Sequence, residues 1–279
     1  MAEACFTQAH VLDTGYCLAV EATMIRGGRW RVRRMHSAAV LLKHPHRGWT
    51  LWDTGYTTRF YTETRRWPFV LYPLITPAVI KPGWSAAARL KSYGISPEDI
   101  ATIVISHMHA DHIGGLKDFP HAQYVVTAAA WDHASGIQGW HALRRAFIPS
   151  LIPTDFACRA TLLPPFDGSV LPPFGPNHDL FGDGSLILVP LPGHARGQVG
   201  ALATTSRRRL FLAADSVYFT ASIRDQRRPS PITNAFVDDP SAVGTTIDAL
   251  YQFSKDNPDV AFLPTHCPDA LREWRELEL

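Results

Sequence analysis

Cysteine is scarce in this 279-residue chain, and none of its four copies falls in a CxxC pair. Cys5, Cys17, Cys158 and Cys267 are scattered, a pattern that suits reduced thiols better than a disulfide framework. Long apolar runs are missing as well. No window reaches the roughly eighteen uninterrupted apolar residues of a spanning helix. The start, MAEACFTQAHVLDTG, lacks the basic residues and apolar run of a secretory leader. The chain is therefore expected to have no membrane span and to sit in the cytoplasm. An excess of one charge is also lacking, because 27 Lys and Arg against 25 Asp and Glu leave a net charge of +2. That balance gives no support to nucleic acid as a partner. Short-period repeats and low-complexity linkers are absent. With 46% hydrophobic residues, one domain over 1–279 can bury a large core.

What is present begins with alternation. Tyr16 to Met24 reads as a strand, Ile25 to Arg29 as a turn, and Trp30 to Arg34 and Ser37 to Leu42 as further strands, with the Arg26 to Arg34 charge run on a solvated face. After WTLWDTGY comes an aromatic and proline-rich insert at about 57–84. It holds Phe60, Tyr61, Trp67, Phe69, Tyr72 and Trp84 with Pro68, Pro73, Pro77 and Pro82. There are too many prolines for one regular helix and too many aromatics for a solvated loop. The insert is either an irregular core segment or an apolar cover over a ligand cleft or a homodimer contact. Ser85 to Tyr93 reads as helical, and Ser96-Pro97-Glu98-Asp99 opens a further helical turn. Val243 to Phe253 and Asp269 to Leu279 are helix candidates, and Cys158 to Gly184 is a loop or hairpin region.

From Ile100 onward, short apolar strands repeatedly end in a polar residue of a type that binds metals. ATIVIS runs into His107, LILVPL into Pro192-Gly193-His194, LFLAA into Asp215 and VAFLPT into His266. Strand C-terminal ends are where α/β proteins gather their sites. The densest cluster is ISHMHADHIGG, residues 105–115, with His107, His109, Asp111 and His112 inside six positions. Side chains two apart on an extended segment point the same way, so His107 and His109 can reach one metal. Asp111 and His112 follow as the chain turns toward a helix, where they can face a second. Gly114 and Gly115 allow close backbone approach behind them. One histidine alone would be an ordinary core or surface group; four such residues together point to metal.

HxHxDH, followed in order by PLPGHARGQVG, LAADSVY and LPTHCPD, resembles the ligand set of the metallo-β-lactamase superfamily. The resemblance spans roughly Tyr16 to Pro268 and includes LWDTG, where Asp53 matches a strand-end Asp-Thr-Gly outside the ligand set. It implies an α/β fold, a four-layer αββα sandwich. It also implies two divalent ions, with His107, His109 and His194 on the first, Asp111, His112 and His266 on the second, and Asp215 bridging. Nitrogen and oxygen donors without thiolate suit Zn²⁺, with Fe, Mn or Co as alternatives.

Such a centre supplies nucleophilic water near neutral pH and polarises the bond under attack, so hydrolysis is the reaction it serves best. Asp111 is placed to orient water and carry a proton. Class B β-lactamases lack the bridging aspartate, so Asp215 argues against a β-lactam substrate. Tyr218, three residues after Asp215, resembles the phenol that N-acyl-homoserine lactonases direct at the substrate carbonyl. The reading from sequence is a dinuclear hydrolase of small, partly apolar lactones or esters, most like the quorum-quenching lactonases. Phosphotriesterase, phosphodiesterase and glyoxalase-II-like thioesterase activities are the alternatives on the same fold.

Overall fold

A computed structural model describes residues 5–276. Among these, a first sheet contains β1 (Gln8–Val20), β2 (Val32–His44), β3 (Gly48–Trp52), β4 (Ala78–Val79), β5 (Ile100–Val104), β6 (Gln123–Thr127) and β7 (Ala160–Leu163). Its spatial order is β4-β1-β2-β3-β5-β6-β7. A short hairpin, β8 (Val170–Leu171) and β9 (Gly175–Pro176), leads into the second sheet. That sheet comprises β10 (His178–Asp179), β11 (Leu186–Pro190), β12 (Val199–Thr204), β13 (Arg209–Ala214) and β14 (Ala261–Pro264), in chain order across the sheet.

Three buried clusters define the layers of the expected αββα sandwich. Leu12, Leu41, Leu51 and Ile103 face helices on the outer side of the first sheet. Val40, Leu42 and Val104 meet Leu188, Ala201 and Leu212 between the sheets. Val189, Phe211 and Leu202 pack under the helix Pro240–Asp256. That helix starts where the Asp239 carboxylate accepts the N–H groups of Ser241 and Ala242 at 2.9 and 3.1 Å, with Pro240 in its first turn. It buries Val243, Ile247, Leu250 and Phe253, a spacing of three to four that keeps one face on the sheet.

Strand direction places the site. Strands β3 and β5 are parallel, so Asp53 and the 105–115 segment emerge at one edge. In the second sheet β13 and β14 are parallel. Strand β11 is antiparallel to β12, which is antiparallel to β13. All three therefore end on the same side and deliver His194, Asp215 and His266 together. No described helix is long and apolar enough to cross a membrane.

The N-terminal reading needs correction. The first strand begins earlier, at Gln8, and stops at Val20, and Glu21–Met24 forms a helical turn instead of a strand end. The two strands expected at 30–34 and 37–42 are one, β2. The cause is Glu21, whose buried carboxylate accepts from Arg31 Nε at 2.7 Å, Arg33 Nη1 at 3.2 Å and the Arg29 N–H. The arginine run is thus partly tied down, with Arg33 also reaching Asp269 at 3.0 Å. The helix expected to begin at Asp269 runs from Pro268 to Glu276, and its last three expected residues lie outside the described ones. The Ser85–Tyr93 and Pro97–Asp99 expectations match a helix at Ala86–Leu90 capped by Ser85, a 3-10 turn at Lys91–Tyr93, and a capping box at Ser96.

Phe211 is fully buried and packs its ring against Phe174, Phe253 and Phe262. Phe211→Ala is expected to lower unfolding free energy by about 3–5 kcal/mol in denaturant titrations. Phe236→Ala, at an exposed position, should stay within about 0.5 kcal/mol.

Candidate metal centre

The segment after β5 turns into a short helix, Ala110–Ile113, and this turn separates the four residues of the motif into two directions. Side-chain donor atoms of His107, His109, His194 and Asp215 converge in one group, and those of Asp111, His112 and His266 in another. Asp215 lies between them. Its Oδ2 is 3.4 Å from His194 Nε2 and 2.7 Å from His266 Nε2, while its Oδ1 is 3.2 Å from His112 Nε2. His266 Nε2 also stands 3.5 Å from Asp111 Oδ2. Every sequence-predicted ligand position is therefore brought to one place, and all but the half-buried His109 are buried.

The far sides of the rings determine which nitrogen each presents. Asp53 Oδ2 accepts from His112 Nδ1 at 2.8 Å and from the Ser106 hydroxyl at 2.7 Å, and Asp53 Oδ1 accepts the Ser106 N–H at 2.8 Å. A hydroxyl has one proton, and Ser106 donates it to the carboxylate, so toward His107 Nδ1, 3.0 Å away, Ser106 acts as acceptor. His266 Nδ1 donates to the carbonyl of His36. In each case the proton is held on Nδ1 and the Nε2 lone pair is directed inward, the tautomer that a metal needs. His107 Nε2, His112 Nε2 and Asp215 Oδ1 are buried and have no hydrogen-bond partner. Buried polar atoms without partners are rare in folded proteins. Three of them facing one small space, among nitrogen and carboxylate donors, fit a pair of divalent cations.

At three of the histidines electrostatics agree with that chemistry. Burial pushes His109 down to about 4 and His194 to about 3, and His107 well below its usual value, so all three are neutral donors. At His112 burial works the same way but is outweighed by the carboxylates of Asp215, Asp53 and Asp111, which raise it well above normal. Burial would raise Asp215, yet the facing His266 and His112 rings hold it well below the usual carboxylate range. Burial, with Asp111 and Asp215 nearby, pushes the Cys17 thiol up to about 12. It therefore stays protonated beside the site.

Tyr218 is where the sequence placed it, but its hydroxyl has a partner that sequence reasoning did not foresee. Its Oη lies 3.0 Å from His194 Nδ1, and its ring stacks on His266. With His194 Nε2 turned inward, Nδ1–H donates to Oη and the phenolic proton is left free to donate elsewhere. Burial and then Asp215 raise the phenol well above its ordinary pKa, so that proton stays in place.

Other supports left no sequence signal. The Ser37 hydroxyl donates to the Asp111 carbonyl at 2.7 Å, and Thr14 Oγ1, bound to the Ser37 carbonyl at 2.7 Å, accepts the Tyr56 N–H at 2.9 Å. Single polar residues in strands cannot be told from ordinary ones. Gly55 could have been suspected, and it meets Gly114, which the sequence marked for close backbone approach. Gly55 has φ +65°, and a Cβ on Gly114 would lie 2.6 Å from the Gly55 carbonyl oxygen. The inner side of the insert matches the first of its alternatives, an irregular core segment. Phe60 and Tyr72 are core, and the Tyr72 hydroxyl donates to Ala146 O at 3.1 Å, the same oxygen that accepts Ala110 N–H at 2.9 Å. The inner face of the insert is thereby fastened beside the metal motif.

Asp53→Ala removes the acceptor that orients His112 and Ser106 together. Metal affinity is expected to fall by about 10–100-fold in chelator competition, whereas His46→Ala, at an exposed turn, should leave it unchanged.

Comparison with known proteins places this geometry. The family model described as "Metallo-beta-lactamase superfamily" matches residues 32–266. An N-acyl homoserine lactonase, AttM, of Azorhizobium caulinodans is 28% identical over 197 residues, covering 68% of each chain. A probable metallo-hydrolase of Mycobacterium tuberculosis is 29% identical over 191 residues, 66% of this chain and 58% of its own. A solved quorum-quenching N-acyl homoserine lactone lactonase superposes with a TM-score of 0.71 at 16% identity, covering 97% of this chain and 96% of that one. The site edge, the layered sheets and the family match agree, and the chain belongs to the metallo-beta-lactamase superfamily.

Proposed function

We propose that this protein, acting as one domain over 1–279, is a dinuclear metal-dependent hydrolase that opens N-acyl-homoserine lactones. His107, His109 and His194 would hold one ion, Asp111, His112 and His266 the other, and Asp215 would serve both. The observation that carries the metal reading is the set of three buried, partnerless donor atoms on His107, His112 and Asp215. Zinc suits the all-nitrogen and oxygen donor set best. When bound, the ions supply Lewis acidity that brings the pKa of a water toward neutrality and polarises a carbonyl oxygen.

The chain's own residues then divide the work. Asp215, held ionised by His266 and His112, keeps the two groups in register. Asp111, 3.5 Å from His266 Nε2 and fixed through its backbone carbonyl by Ser37, orients the attacking water and carries its proton toward the leaving alkoxide. Tyr218 accepts from His194 and donates its free proton to the substrate carbonyl, where negative charge develops. A phenol in that position serves a planar ester carbonyl, and the AttM relatives carry the lactonase name. A small acyl ester or lactone is therefore the partner this site suits.

Metal-replete protein should open acyl-homoserine lactones faster than it cleaves aryl phosphotriesters, phosphodiesters or thioesters assayed on the same sample. Phosphotriester turnover exceeding lactone turnover at every acyl length would reject the lactonase reading. Tyr218→Phe should lower kcat by on the order of 10²-fold with metal content nearly retained. Asp215→Asn should lose metal itself, measured by mass spectrometry, and with it a larger share of activity.

A further inference from the structure

The stretch Phe69 to Ile75, FVLYPLI, contains no charged residue. It folds as a 3-10 turn, Phe69–Leu71, running into a helix, Tyr72–Ile75. Its inner side is used, with Phe69 against the core and Tyr72 buried. Its outer side is apolar too. Val70 and Leu74, four apart and so on one face, are 44% and 75% exposed, and Ile75 is 64% exposed. Trp67, 68% exposed, meets Trp140 edge-on at 5.3 Å, so two separate chain segments build one apolar crest. A helical segment that is apolar all round ordinarily has both sides covered.

The charge in the two segments that build the crest is nearly all of one sign. Arg65 and Arg66 precede Trp67, Arg144 and Arg145 follow Trp140, and all four are exposed. Glu63 is the one acid in 61–75, and 135–150 contains none.

We propose that this crest docks the protein on an anionic lipid bilayer, with Trp67, Leu74, Ile75 and Trp140 entering the headgroup boundary and the arginines pairing with lipid phosphates. Tryptophan favours that boundary, and the guanidinium fork matches phosphate oxygens. A second copy of the chain is the competing occupant. A two-fold contact sets a patch against itself, which here would gather the basic flanks of both copies at one interface. An anionic surface instead complements both the apolar crest and its basic flanks. Docking is measured on the intact protein without turnover, so it stands or falls separately from the lactonase reading.

Co-sedimentation with vesicles of phosphatidylcholine, alone or mixed with phosphatidylglycerol, tests this. The protein should pellet with the mixed vesicles, weakly with phosphatidylcholine alone, and less as salt rises. Leu74→Asp with Ile75→Asp, and separately Arg65→Gln with Arg66→Gln, should each lower partitioning by about tenfold or more. Both pairs are exposed, so their thermal melts should match the parent protein. No pelleting with either vesicle, or equal pelleting by the variants, overturns the proposal. So does a dimer seen by light scattering that Leu74→Asp splits, which would assign the crest to a second copy.

Discussion

One carboxylate organises the centre. Asp53 sits at the end of β3 with φ +56°, a left-handed conformation that disfavours side chains with a Cβ. Its N–H donates to Val104 O at 2.8 Å, and its carboxylate takes the Ser106 N–H, the Ser106 hydroxyl and His112 Nδ1. Four hydrogen bonds hold it there, and they outweigh a conformational cost of about 1–3 kcal/mol. Through them the ends of β3 and β5 are locked together, and two of the five imidazoles in the site have their tautomers chosen. Without that lock, the strands could still form while the rings lost their common focus.

The remainder of the site follows from crowding charge into a dry edge between two sheets. Five imidazoles and two carboxylates in contact would be costly to bury without compensation. Burial keeps three of the histidines neutral, and the nearby carboxylates raise the proton affinity of the other two. His107 Nε2, His112 Nε2 and Asp215 Oδ1 are left aimed inward without a hydrogen-bond partner. A metallo-beta-lactamase superfamily centre resolves this by taking cations, and the two halves of the seven-residue set are already divided by the turn at Ala110–Ile113.

Much of this was legible in the chain because four of the seven ligands follow apolar strands, where the pattern itself points to a site edge. His107, His194, Asp215 and His266 are of this kind, and LWDTG exposed Asp53 in the same way. What was not legible depends on tertiary partners. Glu21 looked like an ordinary strand residue, and only its burial against Arg31 and Arg33 turns 21–24 into a helix. Ser37 and Thr14 support the Asp111 loop from a strand whose alternation says nothing of what lies across from it. The insert was ambiguous because its rings divide between core and surface, with Tyr72 inward and Trp67 outward. Composition reports their number but not their direction.

In the proposed function, two cations and one set of seven side chains form a single working unit. Zinc titration into metal-free protein, with bound metal and lactone ring opening followed on the same sample, tests it most directly. Saturation is expected at two ions per chain, matching the two donor groups, with ring opening that rises as the second site fills and vanishes on chelation. Saturation at a single ion, or ring opening that survives exhaustive chelation, would contradict it.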